Sequence, residues 1–284
     1  MIIELKDLSH IYNMNQINEL YALKDINLTI SSDNLTWIIG HTGSGKSTLV
    51  QHLNGLLKPS KGKVIVDGVD INEKTEDAKK KKQKIGLVFQ YPEHQLFEET
   101  IFQDIAFGPK NQGLEGDELK NRVEESMVNV GLDLDMKEKS PFEVSGGQRR
   151  RVAIAGVIAM KPEILILDEP TAGLDPKGRD EILSYIKCLH ENGVGIIFIS
   201  HSMEDTARLC DEIIVMNKGK LIKKAEPREI FSNQEKLTSL GLDLPQITQF
   251  MIELSKKYPE IRTDILNVEE ARQEINRVIG GGHA

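Results

Sequence analysis

Short apolar runs alternate with amphipathic stretches along most of the chain, and this alternation predicts an α/β fold. Residues 1–35 read as strands, because residues 2–8 and 23–30 place apolar and polar side chains in turn. The later strands are unbroken apolar runs, which are typical of a parallel sheet covered on both faces by helices. These runs span residues 35–39, 85–90, 164–167, 195–200 and 212–216.

Two stretches depart from this alternation and are mainly helical in pattern. Residues 91 to about 160 are polar, which predicts a helical subdomain inserted into the sheet. Near the C-terminus, one stripe of four apolar residues has the helical spacing i, i+3, i+4, i+7 and consists of Ile247, Phe250, Met251 and Leu254. We therefore predict a main domain over residues 1–225 and a helical extension over 226–284, with a frayed end at the glycines 280–282.

The charge balance argues against a nucleic-acid partner. The 284 residues include 36 Lys and Arg against 44 Asp and Glu, a formal net charge of −8, and such a chain has no general attraction for DNA or RNA. Cys188 and Cys210 form no CxxC pair, so we predict neither a zinc site nor a disulfide framework. No apolar run approaches the roughly 18 residues that cross a bilayer, so we expect any membrane role to need a partner chain.

Residues 40–47, called here the phosphate loop, match the pattern GxxxxGK[ST] between a predicted strand and a predicted helix. In such a loop, backbone N–H groups wrap a phosphate chain and the helix N-terminus adds partial positive charge. Lys46 would neutralise the terminal phosphates, and the Ser47 hydroxyl would bind Mg²⁺. The nucleotide-binding residues predicted here are Gly40, His41, Thr42, Gly43, Ser44, Gly45, Lys46, Ser47 and Thr48.

Two carboxylates follow the apolar run at residues 164–167. In phosphate-loop enzymes a carboxylate at the end of such a strand holds the Mg²⁺ hydration shell, which is the role predicted for Asp168. Glu169 is adjacent and can accept a proton from an attacking water. Together with the phosphate loop, this pair predicts nucleotide hydrolysis.

A second glycine-containing segment precedes a predicted helix and is called here the signature segment. It consists of Ser145, Gly146, Gly147 and Gln148. Its helix N-terminus would bind a second anion. Since each chain already has one phosphate cradle, we expect two chains to sandwich the nucleotide, each completing the other's site.

These motifs, in this order, resemble the ABC transporter ATPases over about residues 1–225, with Val144 where leucine is usual before the signature segment. The resemblance implies an ATPase that uses ATP and Mg²⁺ on a phosphate-loop core with an antiparallel β layer at its N-terminus. By this resemblance, Gln90 would sense Mg²⁺ and contact the membrane partner. Asp175 would lie along the dimer seam, and His201 would contact the γ-phosphate. Catalytic roles then fall to Glu169, His201 and Gln90, and metal contacts to Ser47, Gln90 and Asp168. For adenine stacking the resemblance favours Tyr12, with Tyr21 as the alternative.

A narrower resemblance lies in residues 89–100, 104–109 and 240–245, which look like the ATPases of energy-coupling factor importers, nearest to the second of their two paralogous subunits. It implies a heterodimer with a second ATPase on the cytoplasmic face of the cell membrane. The other implied partners are a transmembrane coupling protein and a separate substrate-binding membrane protein, for uptake of vitamins or metal ions. It also implies that the C-terminal extension serves dimerisation.

The segment after Gln90 has its own predicted role. Phe97 and Phe102 are expected to be exposed apolar anchors in a groove made acidic by Glu93, Glu98 and Glu99, which suits a basic amphipathic helix of the membrane partner. The alternative for each ring is that it packs inside the helical subdomain. The alternatives are an ATPase of a conventional importer, an ABC ATPase of DNA repair or translation, and a phosphate-loop kinase or GTPase. The last of these has no use for a signature segment.

Overall fold

The computed structural model describes residues 1–14 and 17–279 and confirms an α/β fold built on two sheets. The glycines 280–282, predicted to be frayed, lie outside the described residues. Within the described part of the chain the strands are β1 (Ile2–Tyr12), β2 (Leu20–Ser31), β3 (Leu35–Ile39), β4 (Lys61–Val66), β5 (Val69–Asp70), β6 (Ile85–Val88), β7 (Ile164–Asp168), β8 (Gly195–Ile199), β9 (Glu212–Asn217) and β10 (Lys220–Ala225).

The helices cover the sheets and fill the inserted subdomain. They are α1 (Lys46–Leu53), α2 (Glu76–Gln83), α3 (Ile101–Asn111), α4 (Gly116–Asn129), α5 (Gly146–Ile158), α6 (Pro176–Glu191), α7 (Met203–Leu209), α8 (Pro227–Phe231), α9 (Gln234–Ser239), α10 (Gln246–Ser255) and α11 (Val268–Val278).

The larger sheet has the order β10-β9-β3-β8-β7-β6, and only its edge strand β10 is antiparallel to its neighbour. Every residue of β3, β7 and β8 is buried, as expected for strands with helices or another sheet on both faces. Because β3, β6, β7 and β8 are parallel, their carboxyl ends share one edge. The segments that follow them, which contain the phosphate loop, Gln90, Glu169 and His201, therefore meet there.

The smaller sheet, of order β2-β1-β4-β5, is the antiparallel layer predicted at the N-terminus. One apolar core joins it to a face of the larger sheet and to α1, with Ile3, Ile38 and Leu49 all fully buried in it. On the other face, a second core gathers the helical subdomain. There α3, α4 and α5 contribute Ile105, Val123 and Ile154.

Packing divides the predicted C-terminal extension at about residue 245. The side chains of its first part belong to the core of the main domain, namely Ile230, Phe231, Leu237, Leu242 and Leu244. Helices α10 and α11 instead pack together around Met251, Ile261, Ile265 and Ala271. None of the described helices is long and apolar enough to cross a membrane.

Three of the four stripe residues on α10, Ile247, Met251 and Leu254, pack in the small C-terminal core, whereas Phe250 is 52% exposed. The buried neighbour is Thr248, whose hydroxyl donates to the Ile265 carbonyl at 2.6 Å. A threonine can take this place because the hydrogen bond satisfies its only polar group.

Candidate nucleotide site

The phosphate loop connects β3 to α1, and its backbone conformation requires glycine. Gly43 and Gly45 have φ of 78° and 102°, which lie in the left-handed region that suits glycine. A Cβ at Gly45 would also lie 2.6 Å from the carbonyl oxygen of Ala22. The backbone of this loop therefore turns sharply at the start of α1, where helix N–H groups are free to meet an anion.

Lys46 points into the loop and is buried there. Its Nζ donates to the carbonyl oxygens of Gly40 at 2.7 Å and His41 at 3.1 Å. Burial lowers the pKa of Lys46, against the opposing charges of Glu169 and Asp168. The site thus holds a cationic side chain among carbonyls, a position from which it can reach a phosphate oxygen.

Asp168 ends β7 and is almost fully buried. Burial raises the pKa of its carboxyl group, and the nearby charge of Glu169 acts in the same direction, while a hydrogen bond from Ser47 and the charge of Lys46 oppose this. The Ser47 hydroxyl and the Asp168 carboxylate are therefore neighbours. Oxygen donors of this kind are the ligands that Mg²⁺ prefers, so this pair fits the predicted metal contacts.

Glu169 is held between two side chains from the ends of other strands. Gln90 Nε2 donates to Glu169 Oε2 at 3.0 Å, and His201 Nε2 lies 2.9 Å from Oε1. The Glu169 backbone has φ of 50°, and its N–H donates to the Ile199 carbonyl at 3.1 Å. Glu169 thus contacts both of the other residues predicted to be catalytic.

Gln90, Glu169 and His201 line one cleft of about 440 Å³ together with Lys46 and Ser47, whereas Asp168 does not line it. Both candidates for adenine stacking line it, and the Tyr12 hydroxyl lies 3.3 Å from Thr48 Oγ1. Tyr21 is 51% exposed, and the choice between the two stays a prediction. Of the predicted nucleotide-binding residues, those that line the cleft are Tyr12, Thr42, Gly43, Gly45, Lys46, Ser47 and Thr48.

Three residues of the phosphate loop do not line this cleft. His41 Nε2 contacts Asn217 Oδ1 at 2.8 Å. Ser44 is fully buried. A Cβ at Gly40 would lie 2.4 Å from the Met216 carbonyl, so this glycine allows the loop to approach β9.

A buried histidine pair behind Tyr12 was missed by sequence reasoning. His10 on β1 and His52 on α1 lie 3.2 Å apart between Nδ1 and Nε2. His52 Nδ1 also contacts the Thr48 carbonyl at 2.7 Å, and the His10 and Tyr12 rings meet edge to face at 4.5 Å. The only sequence signal was that His10 lies two positions before Tyr12 on an alternating strand.

A separate cleft of about 370 Å³ is lined by Asp175 and by three residues of the signature segment, Ser145, Gly147 and Gln148, and it shares no lining residue with the first. Ser145 caps α5 reciprocally with Gln148: Oγ accepts from the Gln148 N–H at 3.3 Å, and Gln148 Oε1 accepts from the Ser145 N–H at 3.0 Å. Asp175 caps α6 by accepting from the Gly178 N–H at 3.2 Å. One chain therefore does not bring these residues to its own phosphate loop.

A third feature, called here the subdomain groove, has a volume of about 450 Å³. Phe97 and Phe107 line it, are both exposed and contact each other edge to face at 5.1 Å. The expectations for Phe102 and for the acids of this segment are wrong, and none of Glu93, Glu98 and Glu99 lines the groove. Phe102 packs against the main core, because it lies on the inner side of α3, and Glu93 is not a free acid, because Arg150 binds it at 2.7 Å.

Comparison with known proteins places the chain in a family. The family model described as ABC transporter matches residues 23–172. The chain is 55% identical over 282 residues to the energy-coupling factor transporter ATP-binding protein EcfA2 of Caldanaerobacter subterraneus subsp. tengcongensis, covering 99% of each chain. It is also 55% identical over 284 residues to the EcfA2 protein of Clostridioides difficile, again covering 99% of each.

Solved structures agree with these sequence relatives. CbiO1 from Clostridium perfringens, part of the ABC transporter complex CbiONQ, is 38% identical with a TM-score of 0.72, over 88% of this chain and 98% of that one. The ATP-binding cassette MJ0796, in a dimeric post-hydrolysis state bound to ADP and phosphate, is 31% identical with a TM-score of 0.71, over 79% and 98% of the two chains. The chain therefore belongs to the ABC transporter ATPases, which bind and hydrolyse ATP, and within them to the energy-coupling factor transporter ATP-binding subunits.

Proposed function

We propose that this chain hydrolyses ATP with Glu169 as the general base and that it works as one half of an ATPase pair driving an energy-coupling factor importer. The observation that carries the proposal is the contact of Glu169 with both Gln90 and His201 at the cleft of the phosphate loop. A water attacking the γ-phosphorus would lose its proton to Glu169 as the bond to ADP breaks, releasing ADP and phosphate. His201 would contact the γ-phosphate, and Gln90 would orient Glu169.

Mg²⁺ would be held by Ser47 and Asp168, with Gln90 as a further oxygen donor. Their hydroxyl, carboxylate and amide oxygens are hard ligands that fit this ion. When bound, Mg²⁺ neutralises charge on the phosphates. Lys46 would add its own positive charge on the terminal phosphates from within the loop.

The second chain is needed because the signature segment lies away from the phosphate loop. Gly146 and Gly147 have helical backbone, and a Cβ on either would meet no atom of this chain closer than 4.0 Å. Glycine is a weaker helix former than alanine, and outside the helix's own backbone no atom of this chain lies close enough to either position to require a glycine there. An outside group approaching the helix N-terminus closely does explain them, and the γ-phosphate of ATP on a second ATPase fits. Asp175 would lie along the same seam.

The subdomain groove would receive the membrane partner. Phe97 and Phe107 give it apolar anchors, and Asp104, which also lines it, has a buried Oδ2 without a hydrogen-bond partner. Burial raises the pKa of Asp104. An amphipathic helix of a transmembrane coupling protein would pack its apolar face against the two phenylalanine rings. The partner set would then include a second paralogous ATPase and, through the complex, a substrate-binding membrane protein for vitamins or metal ions.

The parts of the chain would divide the work of this assembly. Residues 1–225 would carry the nucleotide site, and dimerisation would fall to the later part of the predicted extension 226–284, since its first part packs in the core of the main domain. Within the extension, α10 and α11 form the part whose core is separate from the main domain. The chain would work at the cytoplasmic face of the cell membrane.

Purification of the tagged full-length chain from membranes tests the proposal. We expect a second ATPase and a membrane protein to copurify, and Phe97→Glu to release the membrane protein while retaining the second ATPase. Val128→Glu is a matched control, because Val128 is 60% exposed on α4 of the same subdomain but does not line the groove. Recovery of a homodimer with full ATPase activity and no membrane protein would refute the assembly.

A further inference from the structure

Arg150 is a buried charged residue that the functional motifs leave without a role. It lies on α5, five residues after Ser145, and its side chain is only 5% exposed. Nε and one terminal nitrogen bind the two carboxylate oxygens of Glu93 at 3.0 and 2.7 Å. The other terminal nitrogen donates to the carbonyls of Pro170 at 3.2 Å and Ala172 at 2.5 Å. One guanidinium therefore joins three separate segments of the chain.

Two of these segments follow catalytic residues directly. Glu93 comes three residues after Gln90, and Pro170 comes immediately after Glu169. Gln90 and Glu169 are themselves hydrogen-bonded at 3.0 Å. Arg150 thus holds, from behind, both backbone segments whose side chains meet in the nucleotide cleft.

Both segments contain a residue in a conformation that needs support. Tyr91 and Glu169 have φ of 54° and 50°, and non-glycine residues stay in this left-handed region only where their surroundings hold them. The Arg150 guanidinium carbon also lies 5.9 Å from the centroid of the Tyr91 ring. Although burial would raise the pKa of Glu93, the hydrogen bonds and charge of Arg150 hold it below its usual value.

We propose that Arg150 is a positioning residue for ATP hydrolysis, fixing the distance and orientation between Gln90 and Glu169. The proposal rests on the role of Glu169 as the general base. Only a planar fork can bind a carboxylate with two nitrogens and still reach two carbonyls on another segment; a lysine ammonium is a single point charge. Arg150 is on α5, the helix that begins with the signature segment. A tilt of α5 would therefore move Glu169 through the hydrogen bonds of Arg150.

Arg150→Lys keeps the positive charge and removes the planar guanidinium group with its several nitrogen donors. We expect kcat to fall about ten- to hundredfold, since a misplacement of about 1 Å has that effect on catalysis, while the KM for ATP changes by less than about twofold. In the Glu169→Gln background, the same substitution should change the residual rate by less than about twofold, because no base remains to be misplaced. Rates are measured on the full-length chain in its purified assembly.

Arg122→Lys is the matched control. Arg122 lies on α4, its side chain is 15% exposed and it donates to the Ala159 carbonyl at 3.0 Å, but its bonds touch neither catalytic segment. We expect its kcat to stay within about twofold of the unchanged protein. If thermal unfolding shows that Arg150→Lys does not fold, Glu93→Gln replaces it in both backgrounds, with the same direction expected.

The outcomes separate the two proposals. An unchanged kcat in the folded variant, or an equal loss with and without Glu169, would overturn the role of Arg150 while leaving Glu169 as the base. A Glu169→Gln protein that hydrolyses ATP at nearly the original rate would instead remove the base assignment, and the positioning role with it.

Discussion

Replacing Glu169 by glutamine tests the chemistry of the site while preserving its shape. The amide keeps one acceptor oxygen for Gln90, whose bond to Glu169 is 3.0 Å long. His201 Nε2, 2.9 Å from Oε1, can accept from the amide in its other tautomer. The side chain should therefore stay in place and lose only its ability to take a proton. Loss of a general base lowers the rate by about 10²–10⁴, which raises the barrier by about 2.7–5.5 kcal/mol.

The assay measures phosphate release and, separately, ATP affinity by calorimetry. We expect affinity within about threefold of the original, because Lys46 and the phosphate loop are untouched, and we expect an ATP-bound pair of subunits to persist during size-exclusion chromatography. Glu163→Gln is a suitable control, since Glu163 immediately precedes β7 and pairs with Lys84 on the surface. A fall in rate of less than about tenfold would refute the role of Glu169.

Three further perturbations probe the nucleotide site and the fold, and a fourth probes the subunit seam. Lys46→Ala should weaken ATP binding about ten- to hundredfold, the value of one charge-assisted hydrogen bond, and near-normal affinity by calorimetry would contradict the assignment. Gly147→Ala should leave the thermal unfolding temperature unchanged or higher but abolish ATP-dependent pairing; intact pairing would argue against a close approach there. Burial lowers the pKa of His52 below its usual 6.5, so the unfolded chain takes up the proton first. The contribution of neutral His52 to the free energy of unfolding is then fully present above pH 6.5, and it decreases by at most about 1.4 kcal/mol per pH unit as the pH is lowered from there. In urea titrations, His52→Gln should reduce this pH dependence. A chain ending at residue 245 should fold and bind ATP with weaker pairing, whereas one ending at 224 loses five buried side chains worth about 1.5–3 kcal/mol each and should not fold; circular dichroism distinguishes these results.

The convergence of the phosphate loop and Asp168 could be predicted because each lies at the end of a parallel strand. Unbroken apolar runs identify such strands, and parallel strands bring their carboxyl ends to one edge of the sheet. Local patterns therefore sufficed to bring together residues 46 and 168, which are far apart in the chain. Gln90 and His201 needed the resemblance as well, since a single glutamine or histidine at the end of a strand is common.

The errors arose where the decisive partner is distant or polar. Glu93 looked like a free surface acid because its partner Arg150 lies 57 positions away, and no spacing rule pairs charges at that range. Periodicity groups Phe250 with Ile247, Met251 and Leu254 because it counts only apolar residues, whereas the polar residue Thr248 reaches the core through a hydrogen bond. Helices α8 and α9 have five and six residues, too few to show a period, so their place in the main core was not foreseen.

The order of the motifs along the chain has a mechanical consequence for the proposed pair of subunits. Asp175, expected at the seam, lies six residues after Glu169, and the turn between them is tied by the bond from the Ala172 N–H to the Glu169 carbonyl at 3.1 Å. The signature segment is likewise linked through α5 and Arg150 to the carbonyls of Pro170 and Ala172. Asp175 and the signature segment, which would both face the partner subunit, are therefore connected to the same short turn after Glu169. A partner that shifts either element must shift the backbone of Glu169, so hydrolysis in one site would depend on closure at the other.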